Sequence, residues 1–182
     1  VLVTHQGWAK DASPEAIAAV EKVYAEGMAQ FEGGNLEAAM VSFQSAIAQD
    51  EKHAPSYVGL GHVYLKQDDL GEAEKAFKKA LAKKKKYASA YNGLGLVYSK
   101  KKNELRRAIR YFRDANWADK KYSLAQYNLA QTLEEYGSTE TLKEYRNVLK
   151  IDSKTKIKDL MIIGMKAFYL CVKVSRAYRT GK

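Results

Sequence analysis

The stretch Tyr57-Val58-Gly59-Leu60-Gly61-His62-Val63-Tyr64, followed by Ala73-Glu74-Lys75-Ala76-Phe77-Lys78-Lys79-Ala80, decides how the chain is to be read. Its marked residues fall at i, i+3, i+4 and i+7, and then at i, i+4 and i+7, the spacing of two amphipathic helices separated by the turn signal Gln67-Asp68-Asp69. The same text returns as Tyr91, Leu94, Gly95, Tyr98 and then Ala108, Phe112, Ala115. A small residue recurs at Gly27, Gly61, Gly95, Ala130 and Gly164, at intervals of 34, 34, 35 and 34 residues, as though two backbones approach there. Ala39, Ala73, Ala108 and Thr141 keep the same time, each followed four residues later by Phe43, Phe77, Phe112 or Tyr145 and then by Ala46, Ala80, Ala115 or Val148. Each unit therefore reads as two helices. The turns between them fall at Gly33-Gly34-Asn35, at Gln67-Asp68-Asp69, at Lys102-Asn103, where one extra residue is absorbed, and at Gly137-Ser138.

Working outward, Ser13-Pro14-Glu15 is a helix start, with serine as N-cap and proline at the first helical position, and the helix it opens runs toward Gly33. Residues 1–10 show no period. Lys156 to Arg179 reads as one long helix with Gly164 in phase, either a cap or the first half of a fifth unit. The organisation expected is a flank at 1–18 that includes the start of the first helix, units at 19–53, 54–87, 88–122 and a divergent 123–155, and the last helix at 156–182.

The pattern Tyr-x-x-Leu-Gly-x-x-Tyr, then Ala-x-x-x-Phe-x-x-Ala, resembles the tetratricopeptide repeat over about Ala19 to Asp152. The first unit departs with Glu26-Gly27 and Phe31. The fourth departs with Ala130, Leu133 and Thr141, and the usual proline near the repeat end is replaced by Glu51 and Lys85. The resemblance implies an all-α, right-handed α-solenoid of stacked helix-turn-helix units with a C-terminal capping helix. Its first helices would line a concave groove and its second helices would face outward.

Carried onto this chain, the groove positions are Tyr24, Met28 and Phe31, then Val58, His62 and Leu65, then Asn92, Leu96 and Ser99, then Tyr127, Gln131 and Glu134. Met161, Met165 and Phe168 follow from the last helix, where packing onto the fourth unit is the other reading. A groove apolar at its ends and polar in the middle suits an extended peptide or an amphipathic helix. The resemblance thus implies a non-enzymatic scaffold or adaptor for a protein partner. Some family members clamp the acidic tails of heat-shock chaperones with Lys, Asn and Arg. Tyr24, Met28, Gly59, Ser89 and Gly93 hold those positions here, so a chaperone-tail adaptor is disfavoured.

Charge offers a second function. The formal net charge is +10, and Lys75 to Lys121 holds 16 basic residues against Glu104, Asp114 and Asp119. Lys75 and Lys78, Arg110 and Arg113, and Lys143 and Arg146 occupy equivalent second-helix positions, a convex basic stripe for nucleic acid or an acidic protein surface if it is not simply a solvated face. Tyr111 and Trp117, the nearest aromatics, are expected to pack between units. A third function is self-association as a homodimer through Leu160, Ile163, Phe168 and Val172 of the last helix.

Much else is excluded. Cys171 alone rules out an internal disulfide framework, and His5, His53 and His62 are too scattered for a His-rich metal site, so no cofactor or metal is expected. Cys171 reads as buried, and His62 as a polar groove residue without a metal or catalytic role. Phosphate-loop, His-Glu-x-x-His and Gly-x-Ser-x-Gly motifs are missing, and the adjacent pairs Asp68-Asp69 and Glu134-Glu135 point in different directions, so catalysis is not expected. No run reaches the length of a membrane span, and the chain reads as soluble with no compartment assigned. Because Val1 is not methionine, a removed leader or an excised fragment is expected at the N-terminus.

Overall fold

A computed structural model describes residues 13–136, which form seven helices and no strand: α1 (Pro14–Glu32), α2 (Leu36–Gln49), α3 (Ala54–Lys66), α4 (Leu70–Lys83), α5 (Ala88–Lys100), α6 (Leu105–Ala118) and α7 (Ser123–Glu135). The architecture is all-α, a series of helical hairpins of the solenoid class. The expected second helix of the fourth unit, with Lys143 and Arg146, and the last helix, with Met161, Met165, Phe168 and Cys171, lie outside the described residues. The chain divides into two compact units after Lys84, and each is described by itself.

The helix ends follow from local chemistry. Ser13 caps α1, its hydroxyl accepting from Ala16 N at 3.2 Å, with Pro14 at the first position. Asn35 and Asp69 cap α2 and α4 in the same way, accepting from Ala38 N and Glu72 N at 3.2 and 3.0 Å. The turns inside the hairpins share one backbone device. Gly34, Asp68 and Asn103 each take positive φ, at 81°, 61° and 64°. In the first two turns the following amide reaches back across the helix end, Asn35 N donating to Gln30 O and Asp69 N to Tyr64 O, both at 2.9 Å. The third turn has one more residue between its helices. A left-handed conformation is strained for any residue with a Cβ, so Asn103→Gly is expected to stabilise unit two by about 0.5–1 kcal/mol, read as a raised urea midpoint.

In unit one, α1 pairs with α2 and α3 with α4, while α3 also packs on α2 and α1. Phe43 of α2 is fully buried between two helices: a Cβ built on Gly27 of α1 would lie 2.8 Å from its ring, and one on Gly59 of α3 would lie 2.6 Å from it. Phe77 of α4 presses on Gly61 in the same manner. The recurring glycine thus makes room for an aromatic ring from the second helix, rather than for a second backbone. Ala39, Leu60, Val63 and Ala76 complete this core, and Tyr24, Met28 and Phe31 pack against it while staying partly exposed.

Unit two repeats the arrangement with α5, α6 and α7. Phe112 of α6 lies against Gly95 of α5, and Tyr98, Ala108, Ile109, Leu129 and Leu133 close the core around it. Tyr111 stacks on Tyr98 with ring centroids 5.2 Å apart and planes 16° apart, a contact inside the α5/α6 hairpin.

Candidate functional site

The first helices carry most of the residues expected to meet a ligand, and the two units present them differently. In unit one the exposed edge of the core is aromatic. Tyr24 lies 5.8 Å from Phe43 and 5.3 Å, edge-on, from His53. The His53 ring is itself tied to Ser56 Oγ at 2.7 Å through Nδ1 and to Glu21 at 3.3 Å through Nε2, which fixes α1 against the start of α3. Burial, aided by the Glu21 charge, raises the Tyr24 phenol above its ordinary range, so it remains a neutral hydrogen-bonding group.

His62 sits between Phe31, at 6.4 Å, and the edge of Phe77, at 5.2 Å. This apolar setting disfavours the imidazolium and lowers the pKa to about 4, so the ring is neutral at physiological pH. Between pH 6.5 and 4 the unfolded chain takes up a proton that the folded chain refuses. Stability therefore falls as the pH drops through that window and is fully present above it, a term of roughly 2–3 kcal/mol. Replacing His62 with Gln is expected to flatten the pH dependence of the urea midpoint over this range, an outcome that parallel titrations of variant and parent would read directly.

In unit two a recess of about 450 Å³ is lined by Leu96 and Ser99 of α5, Phe112 of α6, and Asn128, Gln131, Thr132, Glu134 and Glu135 of α7. Four of these, Leu96, Ser99, Gln131 and Glu134, are positions the repeat register assigns to the groove. Ser99 Oγ donates to Leu96 O at 2.9 Å and Thr132 Oγ1 to Asn128 O at 2.7 Å, which holds both hydroxyls to their own helices. Gln131 Nε2 donates to the Tyr127 hydroxyl at 2.9 Å, pairing two expected groove residues beside the recess.

Three expected contacts are corrected. Asn92 is completely buried: its Oδ1 accepts from Asn128 Nδ2 at 2.9 Å across the α5/α7 packing, and its own Nδ2 has no partner among the described residues. Val58 and Leu65 are buried as well, 7% and 9% exposed, so these apolar side chains belong to the core of unit one rather than to an open face.

The charged outer face also differs from expectation. Lys75 and Lys78 are exposed but ion-paired, to Glu72 at 2.6 Å and Glu74 at 2.7 Å, while Lys79 and Lys83 of the same helix are exposed as well. Arg110 and Arg113 of α6 are exposed. Trp117, expected in packing, is 61% exposed with the Lys86 ammonium 4.6 Å from its ring centroid.

A family model described as a tetratricopeptide repeat matches residues 30–96, from the last turn of α1 into α5. Over these residues the chain is similar to the tetratricopeptide repeat. No curated protein sequence matches the chain. Among solved structures, PilF of Pseudomonas aeruginosa is 18% identical with a TM-score of 0.78, covering 91% of this chain and 74% of its own. TTC0263, described as a thermophilic TPR protein of Thermus thermophilus, is 16% identical with a TM-score of 0.71, covering 84% and 82%. YrrB, described as a TPR protein with an unusual peptide-binding site, is 23% identical with a TM-score of 0.56, covering 78% and 77%. These likenesses show the tetratricopeptide fold. Among the described residues no helix is long and apolar enough to cross a membrane. Nor does any group of three or more His, Cys, Asp or Glu among them stand ready to hold a metal.

Proposed function

We propose that this protein is a non-enzymatic adaptor that holds a peptide or helix of a partner along its first-helix faces, the faces that line the concave side in the tetratricopeptide-repeat family. The observation that carries this reading is the recess of unit two, an opening lined mainly by first-helix residues of α5 and α7. Its lining joins the apolar Leu96 and Phe112 to hydroxyl and amide groups and to two carboxylates, Glu134 and Glu135. That mixture suits the aliphatic stem and cationic head of a lysine or arginine side chain. Tyr24, Met28 and Phe31 of unit one, each partly exposed, supply apolar contacts for the same class of ligand. YrrB, of the same fold, is described as having a peptide-binding site, which agrees with this use.

Peptides selected from a random display library on the full chain test the proposal. They are expected to be enriched in Lys or Arg, and to lose affinity about tenfold or more for a Ser99→Arg, Gln131→Arg variant and for a Tyr24→Ala, Tyr127→Ala variant of unchanged helicity. Selected peptides that bind parent and both variants equally would overturn it.

A further inference from the structure

The outer face of α6 carries a pattern that the adaptor function does not use. Arg106, Arg110, Arg113 and Trp117 are all exposed, and their spacing of four, three and four residues places them within about a 60° arc along roughly 16 Å of helix. Aromatic side chains stand at both ends of this ladder. Arg106 Nε donates to the hydroxyl of the exposed Tyr136 at 2.6 Å, and Lys86 lies over the exposed indole of Trp117. Residues 85–136 hold eleven basic groups against five acidic ones, and Asp114 is the one acid on α6. The lysines at equivalent positions on α4 pair with Glu72 and Glu74, and Arg110 faces the Asp114 carboxylate on α6.

We propose that the outer face of α6 binds single-stranded nucleic acid, with Arg106, Arg110 and Arg113 on successive phosphates and Trp117 stacked on an unpaired base. Arginine forks suit phosphate oxygens, and one turn of helix separates neighbouring guanidiniums by a distance comparable to the phosphate repeat of an extended strand. The large exposed indole is what separates this ligand from the alternatives. A duplex keeps its base faces stacked away from Trp117, and an acidic peptide would engage the arginines but has no base to lay on the ring.

Fluorescence polarisation of the full chain with a fluorescein-labelled oligouridylate tests this. Three phosphate contacts give a slope of about −2 in log affinity against log salt, so affinity is expected to fall roughly tenfold or more between about 50 and 200 mM salt. Arg110→Glu with Arg113→Glu is expected to remove binding at about 50 mM salt while leaving the circular dichroism spectrum intact. Trp117→Ala is expected to weaken binding about tenfold, and a DNA duplex of equal length to bind at least as weakly as that variant does. No binding at low salt would overturn the proposal. Polyglutamate that competes as well as oligouridylate, with Trp117→Ala neutral, would equally overturn it and reassign the face to an acidic protein. Neither outcome touches the peptide reading, which rests on the first helices.

Discussion

Truncating Phe43 to alanine is expected to destabilise unit one by about 3–5 kcal/mol, a large part of the stability of a small domain. The ring has no solvent exposure and fills the space that Gly27 and Gly59 leave on two different helices, so it joins the first hairpin to the second. Losing it opens a cavity that neither glycine can fill. Urea unfolding followed by circular dichroism would read the effect as a lowered midpoint for part of the helical signal. Phe43→Leu, which keeps most of the volume, should recover more than half of the loss. An unchanged midpoint for Phe43→Ala would mean that the hairpins are not pinned through this ring.

The second large effect runs against an ordinary rule. Glycine to alanine inside a helix normally stabilises by up to about 1 kcal/mol. At Gly95 the added methyl would collide with Phe112 Cε1, against a ring with only 1% exposure and no room to retreat. Gly95→Ala is therefore expected to destabilise unit two by about 3 kcal/mol. Gly71 is the matched control: a Cβ there meets only Asp69 Oδ1, at an ordinary 3.6 Å, so Gly71→Ala should be neutral or mildly stabilising. Equal effects at the two sites would contradict the packing described. Trimming the ring in a Gly95→Ala, Phe112→Leu double variant should return part of the lost stability, because the two sites are in direct contact.

The fold is legible because the determinants of each hairpin recur along the chain. The Gly61 and Phe77 pair, sixteen residues apart, recurs as Gly27 with Phe43 and, with one extra loop residue, as Gly95 with Phe112, and the structure brings each pair into contact. The turns are legible for a similar reason, since glycine, aspartate and asparagine are the residues that best tolerate the left-handed conformation found at Gly34, Asp68 and Asn103. What a periodic reading does not see are contacts made by side chains that break the period. Asn128 stands in register with Gly59 and Gly93, and its amide reaches Asn92 thirty-six residues away, which turns an expected groove residue into a buried one. That departure from glycine is the available signal.

The charges on α4 depart from expectation for a different reason. Counting basic residues from Lys75 onward leaves out Glu72 and Glu74, whose carboxylates lie one turn before their partners on the same helix. For Trp117, size alone points to packing, whereas its place on α6, in line with Arg106, Arg110 and Arg113, sets it on the polar side of that helix. The recess of unit two is half legible. Leu96, Ser99, Gln131 and Glu134 follow from the repeat register, but Thr132 and Glu135 line it because α7 brings a wider arc of its surface to the opening.

The adaptor function stands most directly on where a bound peptide touches the chain. Titrating the isotopically labelled protein with a display-selected, lysine-bearing peptide and following its chemical shifts would locate that contact. Perturbations concentrated at Leu96, Ser99, Asn128 and Gln131 are the expected result. Perturbations centred on Arg110, Arg113 and Trp117, with the recess residues unmoved, would contradict it.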